Sequence, residues 1–144
     1  MRFALAACSL LLATGLVHAR DTELKLPIQD IFNNAEFKEK LGTEVKFYFA
    51  DQPAPKGAKS LGEFTTNKKT NAINKSDEDA CRWVMLSALV QLKDRAIAEG
   101  ADGVSAVVSY YKKNTFASAT EYECHVGDLI AGVALKGTLI KSSK

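Results

Sequence analysis

Apolar residues recur along this chain with two different periods, and the switches between them outline the fold. Leu24, Leu26 and Ile28 occupy every second position, after which Ile31, Phe32, Ala35 and Leu41 take a roughly helical spacing. Residues 20–40 therefore read as a short extended arm followed by one or two helical turns, which Gly42 stops. Over 44–50, Val45, Phe47 and Phe49 alternate with Lys46 and Tyr48, the pattern of a half-buried strand. Pro53, Pro55 and Gly57 make 51–59 a loop. A second strand is predicted over 60–66, with Gly62, Phe64 and Thr66 on one face, and the polar stretch 67–75 reads as a solvated connection.

The strongest pattern is helical and runs over 76–99. Ser76 is a good N-cap, Asp79 stands in capping-box position, and Asp77 and Glu78 suit the positive end of the helix dipole. Cys81, Val84, Met85, Ala88, Leu89, Leu92 and Ala96 form one apolar stripe, and Gly100 closes a helix about 35 Å long. Trp83, Leu86 and Val90 lie off that stripe, so the first half needs cover on more than one side, for which the arm before Gly42 is available.

Strand periodicity returns over 103–113, with Val104, Ala106, Val108 and Tyr110 on one face and Ser105, Val107, Ser109 and Tyr111 on the other. Over 120–141, Tyr122, Cys124 and Val126 alternate, followed by Leu129, Ala131, Val133 and Leu135. The odd step from Val126 to Leu129, across Gly127-Asp128, predicts a bulge or a turn. The expected class is α+β. One long helix packs on a mostly antiparallel four-stranded sheet, in the order strand, strand, helix, strand, strand, with a short N-terminal arm and helix.

The first 19 residues change that picture. Arg2, the apolar stretch from Phe3 through Val17 and the closing Val17-His18-Ala19 have the three parts of a cleavable signal peptide. The apolar run is too short to span about 30 Å of hydrocarbon, and Arg20-Asp21-Thr22 follows it at once. Leu5-Ala6-Ala7-Cys8 matches a lipoprotein box, but cleavage there would leave a hydrophobic region shorter than the roughly 7 residues export needs. Cleavage near Ala19 would place a single domain, 20–144, in the periplasm or outside the cell, without a transmembrane segment.

Lys and Arg number 19 and Asp and Glu 17 in the whole chain; Arg2 leaves with the leader, so the mature charge is near +1. That balance calls for neither nucleic acid nor an anionic membrane as partner. Of three cysteines, Cys8 leaves as well, and the remaining pair in an exported chain, Cys81 and Cys124, is predicted to be disulfide-bonded across the interface of helix and sheet.

Candidate chemistry is sparse. A phosphate-binding loop needs a lysine after its glycines, but Val133 follows the pair Gly127 and Gly132, and Thr138 follows Gly132 and Gly137. His125 is the only histidine left once the leader is removed. It stands beside Cys124 and three residues before Asp128, too few ligands for a structural metal site when both thiols are oxidised. On the strand face opposite Cys124 it reads as an exposed side chain. The competing reading makes it a base for Ser105, Ser109 or Thr120, with Asp128 or Glu123 as orienter. Tyr110 and Tyr111, followed by Lys112 and Lys113, have the composition of a stacking cluster, although strands often carry tyrosine and paired lysines guard strand edges. Asn74-Lys75-Ser76 fits a glycosylation pattern but is better explained by Ser76 as a helix cap.

Several segments together carry a resemblance. Glu44-Val45-Lys46-Phe47-Tyr48-Phe49, Lys69-Thr70-Asn71, Lys75-Ser76-Asp77-Glu78 with Cys81-Arg82-Trp83, Val108-Ser109-Tyr110-Tyr111-Lys112-Lys113-Asn114, Glu121-Tyr122-Glu123-Cys124-His125 and Gly132-Val133-Ala134-Leu135-Lys136-Gly137-Thr138 resemble a family of small exported Gram-negative proteins. Its members often bear the automatic label "excinuclease ATPase subunit", which an exported chain without a phosphate loop contradicts. The resemblance implies a periplasmic address and no catalytic residue. The helix, Gly100-Ala101-Asp102-Gly103-Val104 and the following strand are also similar, at fold level, to the stress-sensing lipoprotein of the Rcs system.

The resulting expectation is a non-enzymatic binding or interaction module of the cell envelope, whose partner is an envelope protein or a small ligand. No catalytic residue, cofactor or metal ligand is assigned. A small periplasmic hydrolase using His125 and a metal-binding protein are the alternatives, with His125, Asp128, Tyr110 and Tyr111 as the residues to watch.

Overall fold

One strand near the C-terminus organises the sheet, because it is long enough for three others to share its two edges. The computed structural model describes Gly15 and residues 19–143. The leader expected over residues 1–19 lies, apart from Gly15 and Ala19, outside the described residues. The elements are β1 (Thr22–Pro27), α1 (Gln29–Phe32), α2 (Ala35–Leu41), β2 (Lys46–Phe49), β3 (Lys59–Asn71), α3 (Asp77–Ala98), β4 (Gly103–Ser109), a single 3-10 turn (Tyr111–Lys113), β5 (Glu121–Val126) and β6 (Ile130–Lys141). The sheet order is β1-β5-β6-β4-β2, and β3 also pairs with β6.

Strand β6 meets β3 in antiparallel register along its whole length, from Ile130 opposite Asn71 to Lys141 opposite Lys59. A strand has two edges, so β5 and β4 share the other one. The former pairs at Ala131 and Gly132, the latter between Leu135 and Ile140. Gly137 permits the close approach, since a Cβ there would come within 2.6 Å of Val104 Cγ1. The pair β2 and β4 is parallel and the others are antiparallel.

The α+β class, the long helix on a sheet and the mostly antiparallel pairing hold, while the strand count among the described residues rises from the expected four to six. Two features account for the difference. The arm is a true strand, β1, whose backbone groups pair with β5 from Thr22 opposite Val126 to Pro27 opposite Glu121. The odd step after Val126 is a hairpin turn, which divides 120–141 into β5 and β6 and leaves Leu129 61% exposed at the tip. The expected connection 67–75 is strand as far as Asn71, because partner β6 extends that far and backbone pairing tolerates polar side chains at a sheet edge. Strand β4 departs from simple alternation. Its register with β6 shifts between Ser105 and Val108, and Ala106 has a φ of 51°. That bulge sends Val104, Val107 and Ser109 inward and leaves Ala106 exposed, so the predicted apolar face of Val104, Ala106, Val108 and Tyr110 does not form.

Helix α3 follows its pattern closely. The Ser76 hydroxyl accepts the Asp79 N–H, all seven residues of the predicted stripe are buried, and Gly100 follows the last turn with a φ of 76°. Leu86, off the stripe, is buried too. Cover for this side comes partly from α2, whose Phe37 packs edge-on against Trp83 with ring centroids 4.8 Å apart, and partly from β3, whose Thr66 hydroxyl bonds to Gln91. Cys81 and Cys124 are disulfide-bonded with their Cα atoms 5.9 Å apart, as predicted, joining the first turns of α3 to the inward face of β5. Among the described residues no helix is long and apolar enough to cross a membrane.

Candidate binding groove on the outer face of the sheet

Alternation along β5 sends its residues to opposite sides. Tyr122, Cys124 and Val126 face α3 and are buried, which turns Glu123 and His125 to the face that carries no helix. Strand β1 delivers a further carboxylate to that face, because Glu23 is directly opposite His125 in the register. Asp21, just before β1, adds another. Beside these carboxylates lies a groove of about 290 Å³, bordered by Arg20, Asp21, Lys69, Tyr111, His125 and Ile130. Gly132, opposite His125 on β6, lines it without a side chain.

His125 is neither exposed nor alone, contrary to the expectation for it. Its side chain is 11% accessible, and the Tyr111 ring stacks on the imidazole with centroids 3.6 Å apart and an interplanar angle of 11°. Tyr111 reaches this position because the segment after β4 does not continue as strand to 113. It turns at Ser109, and Lys112 and Lys113 adopt left-handed backbone angles of 50° and 63°. Ser109 holds the fold-back from both ends: its backbone pairs with Phe116, and its hydroxyl accepts the Glu123 N–H at 2.9 Å.

Both imidazole nitrogens face carboxylates, with Nδ1 3.0 Å from Asp21 Oδ1 and Nε2 2.6 Å from Glu123 Oε1. A neutral ring has one donor and one acceptor nitrogen, so satisfying both carboxylates takes a second proton or another cation. Glu23, Glu123 and His125 each offer a ligand atom within 4.8 Å of the others. Glu23 also pairs with Lys25 at 3.2 Å, and Lys25 in turn lies over the Phe116 ring.

The other candidates disperse. Asp128 is exposed in the hairpin turn, and the carboxylates at His125 are Asp21 and Glu123. Tyr110 sits under Lys136, 4.5 Å from the ring centroid, and its N–H bonds to the Ala134 carbonyl. Of the proposed nucleophiles, Ser105 donates to the Thr138 carbonyl, Ser109 serves Glu123, and the Thr120 hydroxyl pairs with Ser118. Sequence reading missed Asp21 and Glu23. The clue was the alternation of Leu24 and Leu26, which turns Glu23 and Lys25 outward, but only the pairing of β1 with β5 brings them to His125.

Elsewhere, Asp102 is held below the usual carboxylate range, chiefly by the Ser142 hydroxyl and also by the Ser142 N–H at 2.9 Å. Burial pushes the Tyr122 phenol well above its ordinary value, and among the described residues its hydroxyl has no hydrogen-bond partner. Larger hollows, about 520 Å³ beside Trp83, Leu86 and Val90 and about 490 Å³ beside Ala50, Val108 and Ala119, do not gather carboxylates around a histidine. No protein-family profile, curated protein or solved structure matches the chain.

Proposed function

We propose that the mature chain is a non-enzymatic binding module of the cell envelope, acting in the periplasm or outside the cell, with the groove over His125 as its binding site. One observation carries this reading: a half-buried histidine, stacked by Tyr111 and flanked by carboxylates at both nitrogens, lines an open groove on a helix-free sheet face. Converging polar groups in a concavity are the usual mark of a ligand site. The groove's volume lies near the lower limit of small-molecule pockets, which favours an ion or a small polar ligand over a long chain. The export pattern of residues 1–19 and the disulfide support an oxidising compartment. A binding role is favoured over a hydrolytic one because both His125 nitrogens are engaged by carboxylates, and the hydroxyls of Ser105, Ser109 and Thr120 have other partners.

The test is thermal shift of the purified mature protein, in EDTA, against fractionated small molecules from a bacterial envelope. A fraction that raises the wild-type midpoint should fail to raise that of Gly132→Val, which fills the groove. The backbone tolerates this change, since the nearest atoms to a Cβ at Gly132 are 3.7 Å or more away. Turnover of an ester, phosphate or peptide substrate that disappears in His125→Ala would overturn the proposal.

A further inference from the structure

We infer that the cluster of Glu23, Glu123 and His125 beside the groove binds one divalent transition-metal cation, for which zinc is the probe, with those three residues as ligands and Asp21 as the residue that orients the imidazole. The inference goes beyond the small-ligand groove: the cation site shares His125 and Asp21 with that groove, while Glu23 and Glu123 stand beside it.

Three features of the geometry carry it. The ligand set is mixed, one imidazole with two carboxylates from adjacent antiparallel strands, a donor combination suited to zinc and its first-row neighbours. Around a tetrahedral zinc ion the bonds are about 2.1 Å, which sets ligand atoms about 3.4 Å apart. The three atoms lie within 4.8 Å of one another, and Glu23, with a side chain 49% exposed, is free to swing inward.

The hydrogen bonding of His125 is the second feature. Metal-bound histidines commonly donate their other ring N–H to a carboxylate, which fixes tautomer and ring plane. Asp21 stands at Nδ1 in that position, leaving Nε2 toward Glu123. Glu123 Oε1, 2.6 Å from Nε2, has to withdraw to about 3.4 Å to admit a cation, and a neutral ring then satisfies both carboxylates at once. Tyr111 is the third: stacked on the imidazole, it limits the ring's freedom to rotate out of the site. Charge at the site is mixed: Asp21, Glu23 and Glu123 surround one histidine, Lys25 pairs with Glu23, and Arg20 and Lys69 border the adjoining groove.

The experiment is equilibrium dialysis of the mature, disulfide-intact protein, stripped with EDTA and exchanged into chelator-free buffer, against zinc chloride alone. The expected result is about one zinc per chain, with affinity lowered about ten-fold or more in Glu23→Gln, in Glu123→Gln and in Asp21→Asn, and lost in His125→Ala. Cobalt(II) substituted for zinc should give visible absorption bands that shift in Glu23→Gln. Asp102→Asn, a carboxylate change outside the groove, serves as control and should leave affinity unchanged. Glu23→Gln is the decisive variant, since an exposed side chain can be changed without loss of fold, which far-ultraviolet circular dichroism verifies. Absence of stoichiometric zinc in the wild type overturns the inference, as does zinc binding that survives unchanged in both Glu23→Gln and His125→Ala. Neither result touches the thermal-shift test in EDTA, so the cation and the groove fail separately.

Discussion

Strand β5 has two faces that share a backbone and almost nothing else. Toward α3, Tyr122, Cys124 and Val126 are sealed in a dry layer with Met85, Leu89 and Leu92, and a covalent bond crosses it. On the other side Glu123 and His125 stand under a tyrosine borrowed from another segment, among carboxylates that come from the far end of the chain. The contrast teaches where stability and chemistry reside. Apolar contacts and the disulfide hold the inner face, so changes there should be read in unfolding midpoints. Polar groups on the outer face remain partly hydrated, so changes there should be read mainly in binding.

The largest expected effect comes from opening the covalent link. Closing a loop of 43 residues stabilises a fold by about 4 kcal/mol in the chain-entropy treatment, a large share of a typical 5 to 15 kcal/mol. Cys81→Ser should therefore lower the thermal midpoint by on the order of 10 °C or more, and adding Cys124→Ser should cost little further. Thiol titration of the denatured, unreduced wild type should find neither Cys81 nor Cys124 free; two free thiols would erase the contrast between the faces.

Next in size are outer-face substitutions. His125→Ala and Tyr111→Ala should each cost about 1 kcal/mol in urea titrations, because each removes a partly hydrated contact and leaves no sealed cavity. A loss as large as that of Cys81→Ser would mean that this face is core.

Tyr122→Phe sharpens the comparison from the inside. Removing a hydroxyl that has no partner among the described residues should change stability by less than about 1 kcal/mol at neutral pH. The phenol's folded-state pKa lies above its unfolded value, so its contribution is intact below about pH 10 and is lost as the pH rises beyond that, when the unfolded chain ionises. Wild-type stability should fall more steeply than that of Tyr122→Phe above pH 10, as chemical denaturation at stepped pH would show.

The smallest effect concerns Asp102, which lies on neither face of β5 and fastens the segment after β6 through Ser142. Its depressed pKa means that its contribution is present above the ordinary carboxylate range, near about 3.9, and disappears as the pH falls through the lower folded value. The difference in midpoint between wild type and Asp102→Asn should be small at neutral pH and should vanish in strong acid.

How far the sequence alone reached depended on how local each determinant was. Helix α3 was legible to within a residue or two, because an N-cap at Ser76, a 3.6-residue stripe and Gly100 all act within a few positions of one another. The disulfide was legible by parity and by the inward placement of both cysteines. The period of two identified most strand segments and the two faces of β5, since alternation is a property of the backbone itself.

Pairing was not legible. That the arm 22–27 is a strand depends on free backbone groups of β5, and that polar 67–71 stays extended depends on the length of β6; neither partner is encoded nearby. The bulge at Ala106, which switches the inward face of β4 after Val104, exists only relative to β6. The groove shows the same division most sharply. His125 and its outward orientation could be read from the sequence, whereas Asp21, Glu23 and the stacked Tyr111 reach it only through the pairing of β1 with β5 and the fold-back after Ser109. Local sequence sets backbone periodicity and caps, while contacts between residues about a hundred positions apart exist only once the sheet has chosen its strand order.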